Sequence, residues 1–169
     1  ERAGAVPLVP PSLLAVAGVR RGLATGVPFF AGFGAFVFVF ALFVQDGLHR
    51  DALHSGLAIT PMPVGFFTGS LLTARLYEGF GVRLLRAGFG LQALGLAWLV
   101  TVVATTWPDV SAWTLAPGLL AAGFGQSLGV GALFRSVLAG VPAQLAGVGS
   151  GVLVTTQQAS LALGVATLG

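Results

Sequence analysis

The chain has 169 residues with no cysteine, no lysine, one methionine and one tyrosine, and only 8% of it is charged. Each shortage excludes something. Without cysteine there is no disulfide, no thiolate zinc site and no iron–sulfur cluster held by cysteines. An ordinary soluble domain is roughly 25% charged, so this chain has too little polar surface to cover a globule in water. Acids and bases are missing where chemistry would need them. No Asp, Glu, Lys or His falls inside any of the five long apolar runs, and there is no nucleophile–base pair or acid cluster in them to suggest an enzyme.

The pI of about 11.2 resembles that of a nucleic-acid binder, but it arises from eight arginines and a net charge of only +3. Those arginines sit at the ends of apolar runs rather than in one patch, so no nucleic-acid partner is implied. His49 and His54 share a short segment with Asp46 and Asp51. They read as polar loop residues, and no metal or cofactor is expected.

What the chain has in abundance is apolar length, with 56% hydrophobic residues. A helix crossing a hydrocarbon core of about 30 Å needs on the order of 20 apolar residues. Five segments meet this requirement: Leu23 to Val44, Leu57 to Leu76, Leu84 to Thr105, Pro117 to Leu138 and Val148 to Gly169. The expected fold is an all-α, polytopic membrane protein, with residues 1–21 as a cytoplasmic linker and 22–169 as the transmembrane part. Phe36-Val37-Phe38-Val39-Phe40 is rich in strand-formers, yet it lacks the polar alternation that a membrane barrel requires.

The arginines orient the spans. Arg2, Arg20 and Arg21 precede the first, Arg75, Arg83 and Arg86 cluster between the second and third, and Arg135 closes the fourth; only Arg50 lies on the other side. Cationic loops remain cytoplasmic during insertion, so the amino terminus is expected inside and residue 169 outside. The links Gln45 to His54, Tyr77 to Arg83, Thr106 to Ala116 and Ala139 to Gly147 are short, which makes successive spans antiparallel neighbours.

Among interior residues the most polar are Gln126 with Ser127, and the block Thr155-Thr156-Gln157-Gln158. An amide facing lipid leaves donors and acceptors unpaired, so these groups either bond between helices or line a wet solute path. Gly125 and Gly129, and Gly147 and Gly151, are each four residues apart. That spacing makes smooth stripes on which another backbone can approach closely. Pro61 and Pro117 are read as first-turn residues of the second and fourth spans, where proline is tolerated.

One link is the sharpest motif: Gly69-Ser70-Leu71-Leu72-Thr73-Ala74-Arg75-Leu76-Tyr77-Glu78-Gly79-Phe80-Gly81-Val82-Arg83. It resembles the cytoplasmic loop between the second and third helices of each half of major facilitator superfamily transporters. Gln45, Gly47 and Ser55 to Pro61, and then Pro142 to Gly151 continuing through Thr155 and Gln157 to Gly164, narrow the resemblance to the carboxyl-terminal half of the fourteen-span drug:proton antiporters. It covers nearly the whole chain from about Pro7. Ala74 departs from the family's usual acid, and five helices are found where the family half has six.

The resemblance implies a fragment of a multi-pass plasma-membrane transporter, surrounded by lipid, that works with an amino-terminal half not in this chain. It implies secondary active, proton-coupled efflux of amphipathic drugs or metabolites. Phe33, Phe36 and Phe40 are then expected to give apolar contacts along the path and Gln126, Thr155 and Gln157 polar ones. Gly69, Arg75, Gly81 and Arg83 form the loop motif. The alternative is a truncated, non-transporting membrane remnant or assembly module.

Overall fold

The computed structural model describes residue 13 and residues 15–168. Six α-helices follow one another: α1 (Ala17–Leu42), α2 (Ala52–Ile59), α3 (Pro61–Phe80), α4 (Arg83–Thr106), α5 (Ala112–Leu138) and α6 (Ala146–Leu168). No strand occurs among the described residues. A π-helical turn, Phe43–Gly47, extends α1, and a 3-10 turn, Ala143–Leu145, precedes α6. Four stretches are long and apolar enough to cross a membrane: Ala17–Gly47, Ala52–Phe80, Arg83–Thr106 and Ala112–Leu138. With α6, 23 residues long and free of ionisable groups, they make an all-α polytopic membrane protein. Lipid offers no partner to an exposed backbone N–H or C=O, and the helix satisfies both internally.

The helices overrun the apolar windows read from sequence. Residues 17–21, read as linker, already belong to α1, while residues 1–12 and 14 of that segment lie outside the described residues. The link after α1 shrinks to Leu48–Asp51, because Asp51 accepts a hydrogen bond of 2.8 Å from the His54 backbone N–H and so starts α2 early. Thr60 continues the right-handed helical backbone between α2 and α3, and Pro61 stands at the first position of α3. The proline therefore sits in the first turn of its helix, as read from the sequence, with α2 leading into it through Thr60. Pro117, expected in the first turn of its span, instead lies inside α5, which starts at Ala112.

The chain divides into two compact units: residues up to Val37 together with those from Phe134 onward, and Phe38–Leu133. In the second unit the glycines decide the packing. On α5, Gly118, Ala122, Gly125 and Gly129 fall on one line, and α4 meets them with Gly88, Gln92 and Gly95. A methyl added at Gly95 would lie 2.5 Å from the Gly118 carbonyl oxygen and 2.6 Å from the Ala122 nitrogen. The order of partners runs in opposite directions, so α4 and α5 are antiparallel.

Another face of α5 takes α3. Gly65 lies against the Leu120 backbone, Gly69 against Phe124 and Ser127, and Gly131 against Thr73, in ascending order on both helices, and Gly123 abuts the Met62 backbone. These two are parallel. Thr73 crosses the seam, with its hydroxyl 2.9 Å from the Gly69 carbonyl and 3.4 Å from that of Ser127. Held on two faces, α5 has an apolar window that is 61% buried, against 28% in the other three spans.

In the first unit, Gly34 of α1 abuts the Leu161 backbone of α6, and Gly164 abuts Ala31, a close crossing built by the same device. Gly22 is filled from the other side by the Val137 side chain, and Phe30 meets Phe134 edge-on at 6.5 Å. The stripe expected at Gly147 and Gly151 is different: a side-chain carbon on either glycine would have no neighbour within 4 Å.

Replacing Gly88 by Ala puts a methyl 2.6 Å from the Gly125 carbonyl oxygen. We expect a loss of about 1–3 kcal/mol, the usual cost of overpacking. Gly90→Ala, with open space around it, should be neutral or stabilise by up to about 1 kcal/mol through helix propensity. Thermal unfolding of both variants in detergent tests the seam, and equal midpoints would refute it.

Candidate functional site

The loop motif resolves into two parts with separate tasks. Its first glycine, Gly69, is buried inside α3 and belongs to the seam with α5. The reversal itself needs only Gly81 and Val82. Their dihedrals, 52° and −134° for Gly81 and −64° and −19° for Val82, are those of a type II′ turn, whose first central position is open to glycine and hostile to any side chain. The Gly81 N–H donates to the Tyr77 carbonyl at 2.8 Å and closes α3.

Beneath the turn, Leu84, Leu128 and Ala132 form a buried cluster with Leu76, Tyr77, Leu85 and Phe124 packed around it. This cluster ties the turn to α5. Arg75 and Arg83 are exposed, and neither enters an ion pair within 4 Å among the described residues, where the pair formed is Asp51 with His54. Arg83 opens α4 rather than closing α3, so it meets no helix carbonyl end. Their charge is available to lipid phosphates or to partners outside the chain.

The residues expected along a path are dispersed. Phe33, Phe36 and Phe40 fall within a roughly 60° arc of α1 at about 100° per residue; Phe33 and Phe36 are half-buried, and Phe40 is buried, its ring 6.3 Å from that of Phe43. Gln126 is 5% exposed and is the polar member of an aliphatic buried line of α5 that includes Leu115, Leu119 and Leu133. On α6, Gln157 is half-buried at the edge of the stripe formed by Leu153, Ser160 and Gly164, whereas Thr155 is exposed on the opposite side of the helix. Thr155 and Gln157 therefore do not share a face.

Two features are not visible in the sequence as sites. Gln92 is 8% exposed within the seam of α4 and α5, and its Oε1 lacks a hydrogen-bond partner. The spacing Gly88, Gln92, Gly95 is the signal that places this amide on the packed face. The second feature is a cavity of about 490 Å³ at the helix ends opposite the loop motif, lined among others by Val44, Arg50, His54, Ala58, Asp109 and Trp113. All three tryptophans gather at this end. Trp98 donates its indole N–H to the Thr114 carbonyl at 3.0 Å, Trp107 lies 6.1 Å from the Phe43 ring, and Trp113 is 87% exposed. Beside the cavity, Asp51 also takes the His54 ring nitrogen at 2.7 Å. Hydrogen bonds from the backbone and ring of His54 hold the Asp51 carboxyl below its ordinary pKa. No group of three or more His, Cys, Asp or Glu suited to a metal exists among the described residues.

Helices of membrane-crossing length joined by this loop define a segment of a polytopic membrane protein, and the comparisons point to transport. The chain is 36% identical over its whole length to the "Probable actinorhodin transporter" of Streptomyces coelicolor, and covers 29% of that protein. It is 32% identical over 99% of its length to the "Puromycin resistance protein pur8" of Streptomyces alboniger, covering 34% of it. The chain thus spans about a third of the length of the curated relatives it matches. No family model and no solved structure matches. The resemblance drawn from the loop motifs is borne out: the chain aligns over nearly its whole length with part of two proteins, one named as a transporter and the other for drug resistance.

Gly81→Ala should destabilise the protein by about 1–3 kcal/mol, the cost of a side chain in a disallowed backbone region. Gly79→Ala, two residues earlier in open helix, should not; a thermal melt in detergent compares them. The depressed Asp51 pKa gives a second expectation. A depressed acid contributes stability above its unfolded pKa, near 3.9, and loses it as pH falls through the lower folded value. Wild type should therefore weaken relative to Asp51→Ala below about pH 4, in melts recorded from pH 6 to 3.

Proposed function

We propose that the chain forms part of a secondary active transporter of the plasma membrane that exports amphipathic drugs or metabolites in exchange for protons, with its amino terminus in the cytoplasm. The observation carrying this reading is the alignment of the whole chain with two proteins, one named for actinorhodin and the other for puromycin. In such a machine two helical halves rock around a midplane site, and this chain supplies helices to one of them.

The interior chemistry suits a weakly charged cargo. The spans offer phenyl rings at Phe33, Phe36 and Phe40 and amides at Gln126 and Gln157, with the Thr155 hydroxyl on a separate face of α6. None of these groups exchanges a proton near neutral pH, so the proton route runs through residues outside these spans, in the partner half. Arg75 and Arg83 lie beside the cytoplasmic turn, where they bias orientation and respond to neighbouring acids as the halves rock.

Efflux from cells or proteoliposomes carrying the full-length protein tests the reading. Replacing Gln126 and Gln157 together with Leu should lower the efflux rate of at least one amphipathic substrate by about tenfold, equivalent to about 1.4 kcal/mol, with the protein still inserted. Collapsing the pH gradient should stop wild-type efflux. Unchanged transport in the double variant overturns the path, and transport insensitive to the gradient overturns proton coupling.

A further inference from the structure

We propose that the cavity between the π-helical end of α1, the start of α2 and the start of α5 binds the zwitterionic headgroup of an aminophospholipid, with Arg50 holding the phosphate and Asp109 the ammonium. The inference rests on the membrane-spanning architecture and is independent of what is exported.

Its location is the first argument. The cavity opens where the helices give way to Leu48–Asp51 and Trp107–Ser111, at the end that carries every tryptophan of the chain. Indole rings settle at the depth of the lipid headgroups, where one edge is wet and the other apolar. Trp113, on the cavity wall, is 87% exposed, and Leu53, next to the lining residue His54 on α2, is 68% exposed, so the cavity borders apolar surface open to acyl chains.

Charge is the second argument. Arg50 and Asp109 both line the cavity, yet they make no salt bridge with each other or with any other described residue. An unpaired cation and an unpaired anion lining one cavity match a ligand that carries both signs. The guanidinium fork suits phosphate oxygens, and a carboxylate suits a primary ammonium with three N–H donors. A purely anionic headgroup would meet Asp109 unfavourably, and Asp46 and Asp51 are nearby in sequence.

The floor is the third argument. Val44, Ala58 and Leu115 are 3%, 7% and 2% exposed, and they give the cavity an apolar base beneath a charged rim. A soluble zwitterion has no use for that base, but the glycerol and first methylenes of a lipid do. At about 490 Å³ the space lies within the roughly 300–1,000 Å³ of small-ligand clefts.

The test is native mass spectrometry of the full-length protein in detergent, titrated separately with phosphatidylethanolamine, phosphatidylglycerol, diacylglycerol and free phosphoethanolamine. Phosphatidylethanolamine should bind about fivefold or more tighter than phosphatidylglycerol. Asp109→Asn should erase that preference by weakening phosphatidylethanolamine alone, whereas Arg50→Gln should weaken both phospholipids by about tenfold. Should Arg50→Gln not fold, Arg50→Lys decides, with a smaller loss for both lipids. An intact preference in Asp109→Asn, unchanged binding in the arginine variants, or equal binding of diacylglycerol overturns the proposal. Free phosphoethanolamine binding as tightly as the lipid also overturns it, in favour of a soluble zwitterion.

Discussion

The close approach of α5 to its neighbours is the contact on which the second unit depends. Between helices in lipid there is no hydrophobic gain, since acyl chains are as apolar as leucine; association depends on dispersion, hydrogen bonds and shape. A helix without side chains along two faces lets two other backbones come within van der Waals distance. Gly118, Gly125 and Gly129 do this toward α4, and Gly123 does it toward α3 with Gly65 and Gly69 opposite. The same geometry positions the loop motif. Leu84 and Leu128 can meet under the turn because α3 and α4 are both drawn against α5, and Gly81 then has only two residues in which to reverse the chain.

That packing also explains which polar groups the interior tolerates. Hydroxyls are satisfied within their own helix: Thr73 donates to the Gly69 carbonyl, Ser127 to that of Phe124, and Ser160 to that of Thr156. They add little demand on a neighbour. Gln92 is different, because its side chain is buried in the seam of α4 with α5 and leaves an acceptor unmet. An unpaired buried acceptor costs about 1–3 kcal/mol, which sets this amide apart from the hydroxyls as a place where the packed seam is under tension.

Span number and type were legible because hydrocarbon thickness imposes a length that composition records directly. Span ends were not. An apolar window stops at the first charged residue, whereas the helix continues through the exposed Arg20 and Arg21, and begins early at Ala52 and Ala112, where the Asp51 and Ser111 side chains accept backbone N–H bonds. Glycine spacing was legible only where a partner exists: Gly125 and Gly129 meet α4, but Gly147 and Gly151, with the same interval, meet nothing in this chain. Spacing states that a face is smooth and says nothing about what lies against it. The cavity at the Arg50 end was hidden for a related reason, since its wall joins residues near 50 to residues near 110 that only the fold brings together.

Charge is thus confined to the two ends of the helices, and the ends differ in kind. The end with Arg75, Arg83 and Arg86 is cationic and built on a rigid two-residue turn over an aliphatic cluster. The other end carries acids, histidines and one arginine around a concave surface flanked by indole rings. Between them a cargo would meet rings, amides and hydroxyls, none able to hold a proton. On the function proposed above, a segment organised in this way offers a solute contacts but no group that could couple its movement to an ion. Coupling requires a titratable group inside the bilayer, where a charge costs roughly 2.5–3.5 kcal/mol to insert and is retained only for a task. The interior of every described span lacks such a group, so the proton coupling proposed above rests on residues beyond these spans.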